Sequence, residues 1–168
     1  PGAAATVPLT ELTELAPLSI KESLRIVPGL HVVDEDAFGL NLNIGVRGLP
    51  PRRSSRVLLL EDGMPIHLAP YADPSAHYHP PVDALDRIEV VKGSAQIGFG
   101  PQTTGGVINF VRRAPPLRPE VRLALQGGTR GLATGRVSAG GTWRGNGLLI
   151  SAARREGNGT RAVQHHRV

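Results

Sequence analysis

The residues best placed to do chemistry are three arginines. Arg52, Arg53 and Arg56 stand with Ser54 and Ser55 in a stretch that also holds Pro50 and Pro51. A guanidinium carries five N–H donors in a planar fork, which suits a carboxylate or phosphate gripped by two bonds at once. Three of them beside two hydroxyls read as an anion-binding loop or as an ordinary solvated loop, and the spacing allows both. The glycines at 98, 100, 105 and 106 imitate a phosphate loop. Gly106, however, stands where such a loop needs Lys, and Val107 where it needs Ser or Thr. The segment that follows reads as a strand, so no helix N-terminus faces a phosphate. His77 and His79, and the adjacent His165 and His166, lack a carboxylate at ligand spacing; they read as solvated loop histidines, and no metal is expected. Glu61 and Asp62 sit at a turn, where Asp has a backbone reason to be. No Gly-x-Ser-x-Gly elbow is present. No acid, base and nucleophile converge, so the chain is expected not to be an enzyme and to hold no resident cofactor.

Composition narrows the setting. Of 168 residues, 21 are Gly and 15 are Pro, which implies many turns and few, short helices. There is no Cys, which excludes a disulfide scaffold, a thiolate metal site and a Cys nucleophile. No apolar run approaches the ~18 residues of a membrane-spanning helix. With no initiator Met and no signal-peptide core, the chain is expected to start inside a mature protein. The net charge of +5 invites a nucleic-acid reading, but it is unevenly spread: residues 1–116 are net −2 and residues 117–168 net +7. Such a change marks two regions with different surroundings. Six aromatics in all leave little for base stacking.

The first region reads as a small mixed α+β domain. Residues 1–17, with Pro1, Pro8 and Pro17, show no clear periodicity and are taken as a lead-in segment. Ser19 is the expected N-cap of a helix, with Glu22 as its capping-box partner. Ile20, Leu24 and Val27 share its inner face, and Pro28-Gly29 stop it. Strands are expected at residues 30–33, at 42–48 with Leu42, Ile44 and Val46 on one face, at 57–60, at 87–93 and at 106–111. Residues 64–81, with five prolines, read as one long loop, and helical turns are expected at 82–85 and 94–97. Ala114-Pro115-Pro116 reads as a linker.

The second region alternates. Val121, Leu123 and Leu125 alternate with Arg122, Ala124 and Gln126; Val137, Ala139 and Trp143 with Arg136, Ser138 and Thr142; and Leu148, Ile150 and Ala152 with Leu149, Ser151 and Ala153. Asn146-Gly147 is expected to form a tight hairpin between the last two segments. Three such dyad segments fit transmembrane β-strands or a soluble antiparallel meander with one wet face.

Five segments now stand in one order: Pro28-Gly29-Leu30-His31-Val32; Leu42-Asn43-Ile44-Gly45-Val46-Arg47-Gly48-Leu49; Val57-Leu58-Leu59-Leu60-Glu61-Asp62-Gly63-Met64-Pro65; Arg87-Ile88-Glu89-Val90-Val91-Lys92-Gly93; and Gly105-Gly106-Val107-Ile108-Asn109-Phe110. This series resembles the plug domain of TonB-dependent outer-membrane receptors. Leu68-Ala69-Pro70-Tyr71, Phe99-Gly100-Pro101-Gln102 and the stretch from Asn146 to Gly159 are most similar to ferric dicitrate receptors. Ala72, Asp73 and Ser75 differ from the Gln or Gly that this subgroup often carries there.

The resemblance implies a plug over residues 18–116, lodged in a large antiparallel barrel, and the first three or so barrel strands over 117–168, the whole being a fragment. It implies a receptor in the outer membrane of a Gram-negative bacterium, taking up a ferric chelate, with citrate foremost and another siderophore, haem or cobalamin as alternatives. The periplasmic protein TonB, of the TonB-ExbB-ExbD system, would supply the energy through an N-terminal box not seen before residue 17. Apical plug loops would bind the chelate, which assigns ligand contacts to Arg52, Arg53, Ser54, Ser55, Arg56, Tyr71, Asp73, Ser75 and Gln102. An anionic chelate suits the arginines. Arg47 and Arg87, on strands, would meet acids of the barrel wall. The iron is cargo, and no nucleic acid is involved. A soluble binding module with a basic tail is the reading from a different class.

Overall fold

The computed structural model describes residues 3–34, 42–66, 78–99, 103–158 and 165–167. The chain divides into two compact units, Pro1–Arg113 and Ala114–Val168. The leading residues are not irregular. Strand β1 (Ala3–Pro8) lies antiparallel on a later strand, and helix α1 (Leu9–Leu15) follows it. Periodicity misses them because only Val7 and Leu12 are buried; the other side chains are small or face outward. Pairing with a neighbour, not an amphipathic pattern, makes β1 a strand.

Helix α2 (Ile20–Arg25) forms where its capping signals predict, with Ile20, Leu24 and the following Val27 buried. The capping differs in detail. Ser19 makes no side-chain cap bond, and Glu22 Oε2 instead accepts the Leu18 N–H at 2.7 Å. Strands β2 (Leu30–Asp34) and β3 (Leu42–Val46) pair antiparallel as a separate two-stranded sheet.

The main sheet holds β4 (Val57–Glu61), the two-residue β5 (Met64–Pro65), β6 (Leu85–Lys92) and β7 (Gly106–Arg112) in the order β1-β6-β7-β4-β5. β4 and β7 are parallel and the other pairs antiparallel, so the sheet is mixed. The residues at 64–65, expected within a loop, thus close a hairpin with β4 through Asp62 and Gly63, whose φ values of 49° and 81° suit a tight turn. The apolar run Val57 to Leu60 is buried at every position because both faces of β4 are covered. Val57 and Leu59 join Ile88, Val90, Ile108 and Phe110 in the main core, against α2 and β3; Leu58, Leu60 and Val107 form a smaller cluster on the other face. A single 3-10 turn at Val82–Ala84 and a six-residue 3-10 helix at Ser94–Phe99 flank β6.

In the second unit β8 (Glu120–Gly127), β9 (Ala133–Trp143), β10 (Asn146–Asn158) and β11 (His165–Arg167) form an antiparallel sheet in the order β11-β10-β9-β8. The β9–β10 turn does not use Asn146-Gly147. Asn146 pairs with Trp143, and the turn residues are Arg144 and Gly145 at φ 49° and 81°. Gly147 lies in the strand against Pro115, whose side-chain carbons would stand 2.8 and 2.9 Å from any Cβ placed there. The Asn-Gly signal is real, but proline packing uses its glycine.

Candidate functional site

The arginine loop is built on β3. A Cβ on Gly45 would lie 2.3 Å from the Leu49 carbonyl oxygen and 3.2 Å from the Pro51 backbone, so the loop approaches the strand as only glycine permits. Arg52–Ser54 then make one 3-10 turn beside β3. Ser54, fully buried, accepts the Ile44 N–H at 2.9 Å and donates its hydroxyl to the Leu42 carbonyl at 3.3 Å. Beyond it, the Arg56 carbonyl accepts the Gly105 N–H at 2.7 Å, and Gly105 has no room for a Cβ either. The loop is therefore pinned at three points to β3 and to the segment entering β7.

This framework sorts the expected ligand residues. Arg52, Ser55 and Arg56 are exposed, and no acid among the described residues pairs with either arginine. Ser54 is fully buried, and its hydroxyl accepts from and donates to β3, so it positions the loop. The Arg53 side chain, Tyr71, Asp73, Ser75 and Gln102 lie outside the described residues. The flank of Gln102, residues 103–105, meets the arginine loop through the Gly105–Arg56 bond; the flanks of 71–75 attach elsewhere, Ile66 on Leu59 and Tyr78 on Glu61.

The two expected wall contacts separate. Arg47 is exposed, with φ 54°, and its N–H donates to the Gly29 carbonyl at 2.9 Å. Arg87 is half-exposed, and its guanidinium donates within the unit to Glu89 at 2.8 Å and Asp86 at 3.1 Å. The period of two places Glu89 beside Arg87 on one face of β6, so this local pairing was legible in the sequence. Sequence reasoning missed Lys92. It is almost fully buried at the end of β6, and its Nζ donates to the Pro28 carbonyl at 2.6 Å. A Lys closing β6 directly after Val90-Val91 was its only signal.

At the opposite end of β4 an ionic network closes the sheet. The Arg112 guanidinium reaches Asp62 at 2.9 Å and Glu61 at 3.2 Å, and the Arg112 N–H donates to Asp62 at 2.8 Å. Tyr78 donates to Glu61 at 3.3 Å. Asn109 accepts the Gly63 N–H and donates to Glu89, both at 2.9 Å. The Arg112 N–H, with the guanidinium behind it, holds the Asp62 carboxyl below the ordinary aspartate value of 3.8. The Asn109 amide holds Glu89 below its ordinary 4.5. Burial, then Glu61, pushes the Tyr78 phenol up. A carboxyl with a lowered folded pKa stabilises above its unfolded value, and that contribution is lost as pH falls through the folded one. We therefore expect Asp62→Asn to lower stability slightly at pH 7, since the pair is well solvated. The difference from the parent should vanish well below pH 3.8, which urea unfolding at a series of pH values measures. A difference that persists in acid would place the effect in packing instead of charge.

Among the described residues, no three His, Cys, Asp or Glu side chains cluster as a metal site would require. Gly105 and Gly106, at the start of β7, serve close chain packing, with the Gly105 N–H committed to the Arg56 carbonyl.

A mixed-sheet unit with a glycine-clamped basic loop, followed by long antiparallel strands with alternating faces, defines a receptor plug joined to β-barrel strands. Residues 1–107 match the family model of the TonB-dependent receptor plug domain, and the chain belongs to that family. It is 33% identical over 101 residues to the vitamin B12 transporter BtuB of Vibrio vulnificus (strain CMCP6), covering 60% of this chain and 16% of that protein. The structure resembles the ferric citrate transporter FecA in its unliganded form, with TM-score 0.80 and 28% identity over 99% of this chain and 27% of that one. It shares its fold with the ferripyoverdine receptor of the outer membrane of Pseudomonas aeruginosa, at TM-score 0.75 and 22% identity over 94% of this chain and 20% of that one. The chain thus spans about a quarter or less of each relative's length. Its relatives are transporters and receptors, not enzymes, and its place is the outer membrane. The soluble module with a basic tail gives way, because the basic segment is a strand-forming part of the same architecture.

Proposed function

We propose that this chain is the plug and barrel start of an outer-membrane receptor that takes up a ferric chelate with energy from TonB, and that the chelate is ferric citrate. The observation that carries the reading is the arginine loop. Arg52 and Arg56 project from a backbone already fixed to β3 and Gly105, so little ordering is left to be done on binding. Guanidinium groups with no acid partner among the described residues suit a ligand dense in carboxylates. Support comes also from the likeness to the ferric citrate transporter, which covers nearly the whole chain. Residues 18–116 would be the plug proper and 117–168 the barrel start. Arg53, Ser55, Tyr71, Asp73, Ser75 and Gln102 complete the proposed ligand set, and Arg47 a contact with the barrel wall. Cobalamin is the second reading, favoured by the identity to the vitamin B12 transporter.

The test is binding of ferric dicitrate, and separately of cyanocobalamin, to the full-length receptor. Arg52→Ala and Arg56→Ala should each weaken ferric citrate about three- to tenfold, more at low ionic strength, as for exposed charge-assisted contacts. No binding of ferric citrate by the unaltered receptor would sink the citrate assignment. Unchanged affinity in both variants would sink only the role of the loop.

A further inference from the structure

The chain between β7 and β8 is fastened at both ends. On the side of the first unit, the Arg112 N–H donates to Asp62 at 2.8 Å and the Arg113 N–H to the Ala84 carbonyl at 2.9 Å. On the side of the second unit, Pro115 packs on Gly147, and Thr142 Oγ1 donates to the Pro116 carbonyl at 3.0 Å. Further along, the Pro119 Cα would stand 3.2 Å from a Cβ on Gly141. Ala114 alone lies between the two sets of contacts, and it is exposed. The boundary between the two compact units falls at the same place, after Arg113.

The residues of this linker suit a seat and not a slack tether. A flexible linker is rich in Gly and Ser, and residues 114–119 hold neither. Pro115, Pro116 and Pro119 have fixed φ, and the residue before each proline is biased to extended backbone, which adds Ala114 and Arg118. Pro115 and Pro116 also have no N–H to leave unpaired, so they lie against the hairpin without competing for its ladder. Gly147 makes the room: a Cβ there would meet Pro115 side-chain carbons at 2.8 and 2.9 Å. Gly147 and Thr142 face each other in the β9–β10 ladder, which runs on to Glu156 and Ala133. The contacts that form the seat all lie within the second unit.

We propose that residues 115–119 are a fixed anchor: the first unit can be displaced or unfolded while they stay on the β9–β10 hairpin. The slack for such a displacement comes from the first unit's own elements, beginning with the Arg113–Ala84 bond and the Arg112–Asp62 pair at the end of β7. That pair is half-exposed and solvated, which makes it the weaker fastening. The proposal rests on the contacts of the linker and not on which chelate is taken. A receptor that binds no ferric citrate and still shows the label behaviour below would lose the function proposed above and keep this anchor.

Nitroxide labels test it in the full-length receptor reconstituted into phosphatidylethanolamine–phosphatidylglycerol vesicles, read by line shape as urea is raised. They are placed singly through M64C on β5, A114C, L117C in the linker and S138C on β9; this chain itself contributes no native cysteine. Met64 and Leu117 are 65% and 86% exposed, so labels there replace no buried side chain. Probes within one cooperative unit loosen at one urea concentration. Labels at 64 and 114 should be freed together as the first unit unfolds, while the label at 117 stays ordered with that at 138. Gly147→Val should free the label at 117 before any urea is added and leave that at 64 as in the parent. Thr142→Val, which removes only the bond to Pro116, serves if the first variant does not assemble; there 117 should loosen at lower urea than 138. Loosening of 117 together with 64 in the parent, or a label at 117 that neither substitution loosens, would overturn the proposal.

Discussion

Phe110→Ala is expected to destabilise the plug by about 3–5 kcal/mol, the range for removing a fully buried aromatic ring from a core. Phe110 has no exposed surface and sits on β7, which is hydrogen-bonded on one side to β6 and on the other to β4. Its ring belongs to the core cluster that also holds Ile88, Leu59 and Leu24. A cavity there would be walled by a sheet and a helix that are both held by other contacts, so little of it can collapse. Urea unfolding followed by a probe within the plug should show a lower midpoint with an unchanged slope. Phe110→Leu, which keeps most of the volume, should cost clearly less. Equal losses in the two variants would mean that the ring's shape, not its volume, is what the core requires.

The second large effect is expected at Gly45. A side chain there meets backbone, not a side chain that can rotate away: the Leu49 oxygen at 2.3 Å and the Pro51 Cα and N at 3.2 Å. Gly45→Val must therefore displace either β3 or the arginine loop. Because β3 is paired along its length with β2, the loop should be the part that yields. The expected cost is about 2–3 kcal/mol, as for other overpacked sites. The local consequence is more diagnostic. The Ile44 N–H, which donates to Ser54 Oγ, loses its acceptor when the loop lifts, so its amide should exchange much faster than those of β7. The full-length variant should also bind ferric citrate no better than Arg52→Ala combined with Arg56→Ala. Normal exchange at Ile44 together with normal binding would show that the clamp is not needed.

These two sites divide the plug into a core that holds the sheet and a clamp that aims its basic loop. They also show how far a sequence can be read. The strand that carries Phe110 was legible as an apolar run bounded by turn-rich stretches, but the face on which Phe110 lies was not. Nor was the role of Gly45 legible, since nothing local distinguishes a glycine that admits a passing backbone from one that merely fills a polar face.

Local pattern by itself determined helix α2, the positions of β2, β3, β4, β6 and β7 in the first unit, the alternation of the second and the basic loop between β3 and β4. Each rests on neighbours within a few residues, where helix or strand period and turn chemistry act directly. Tertiary structure alone decided which strand lies beside which. It made the unpatterned residues 3–8 a sheet edge and set β4 parallel to β7. It also moved the β9–β10 turn to Arg144-Gly145. The same pairing between segments spent the Ser54 hydroxyl on β3, while leaving Arg52 and Arg56 exposed. A polar side chain's partner depends on register between segments that can be far apart in the chain, and composition and spacing do not carry that information.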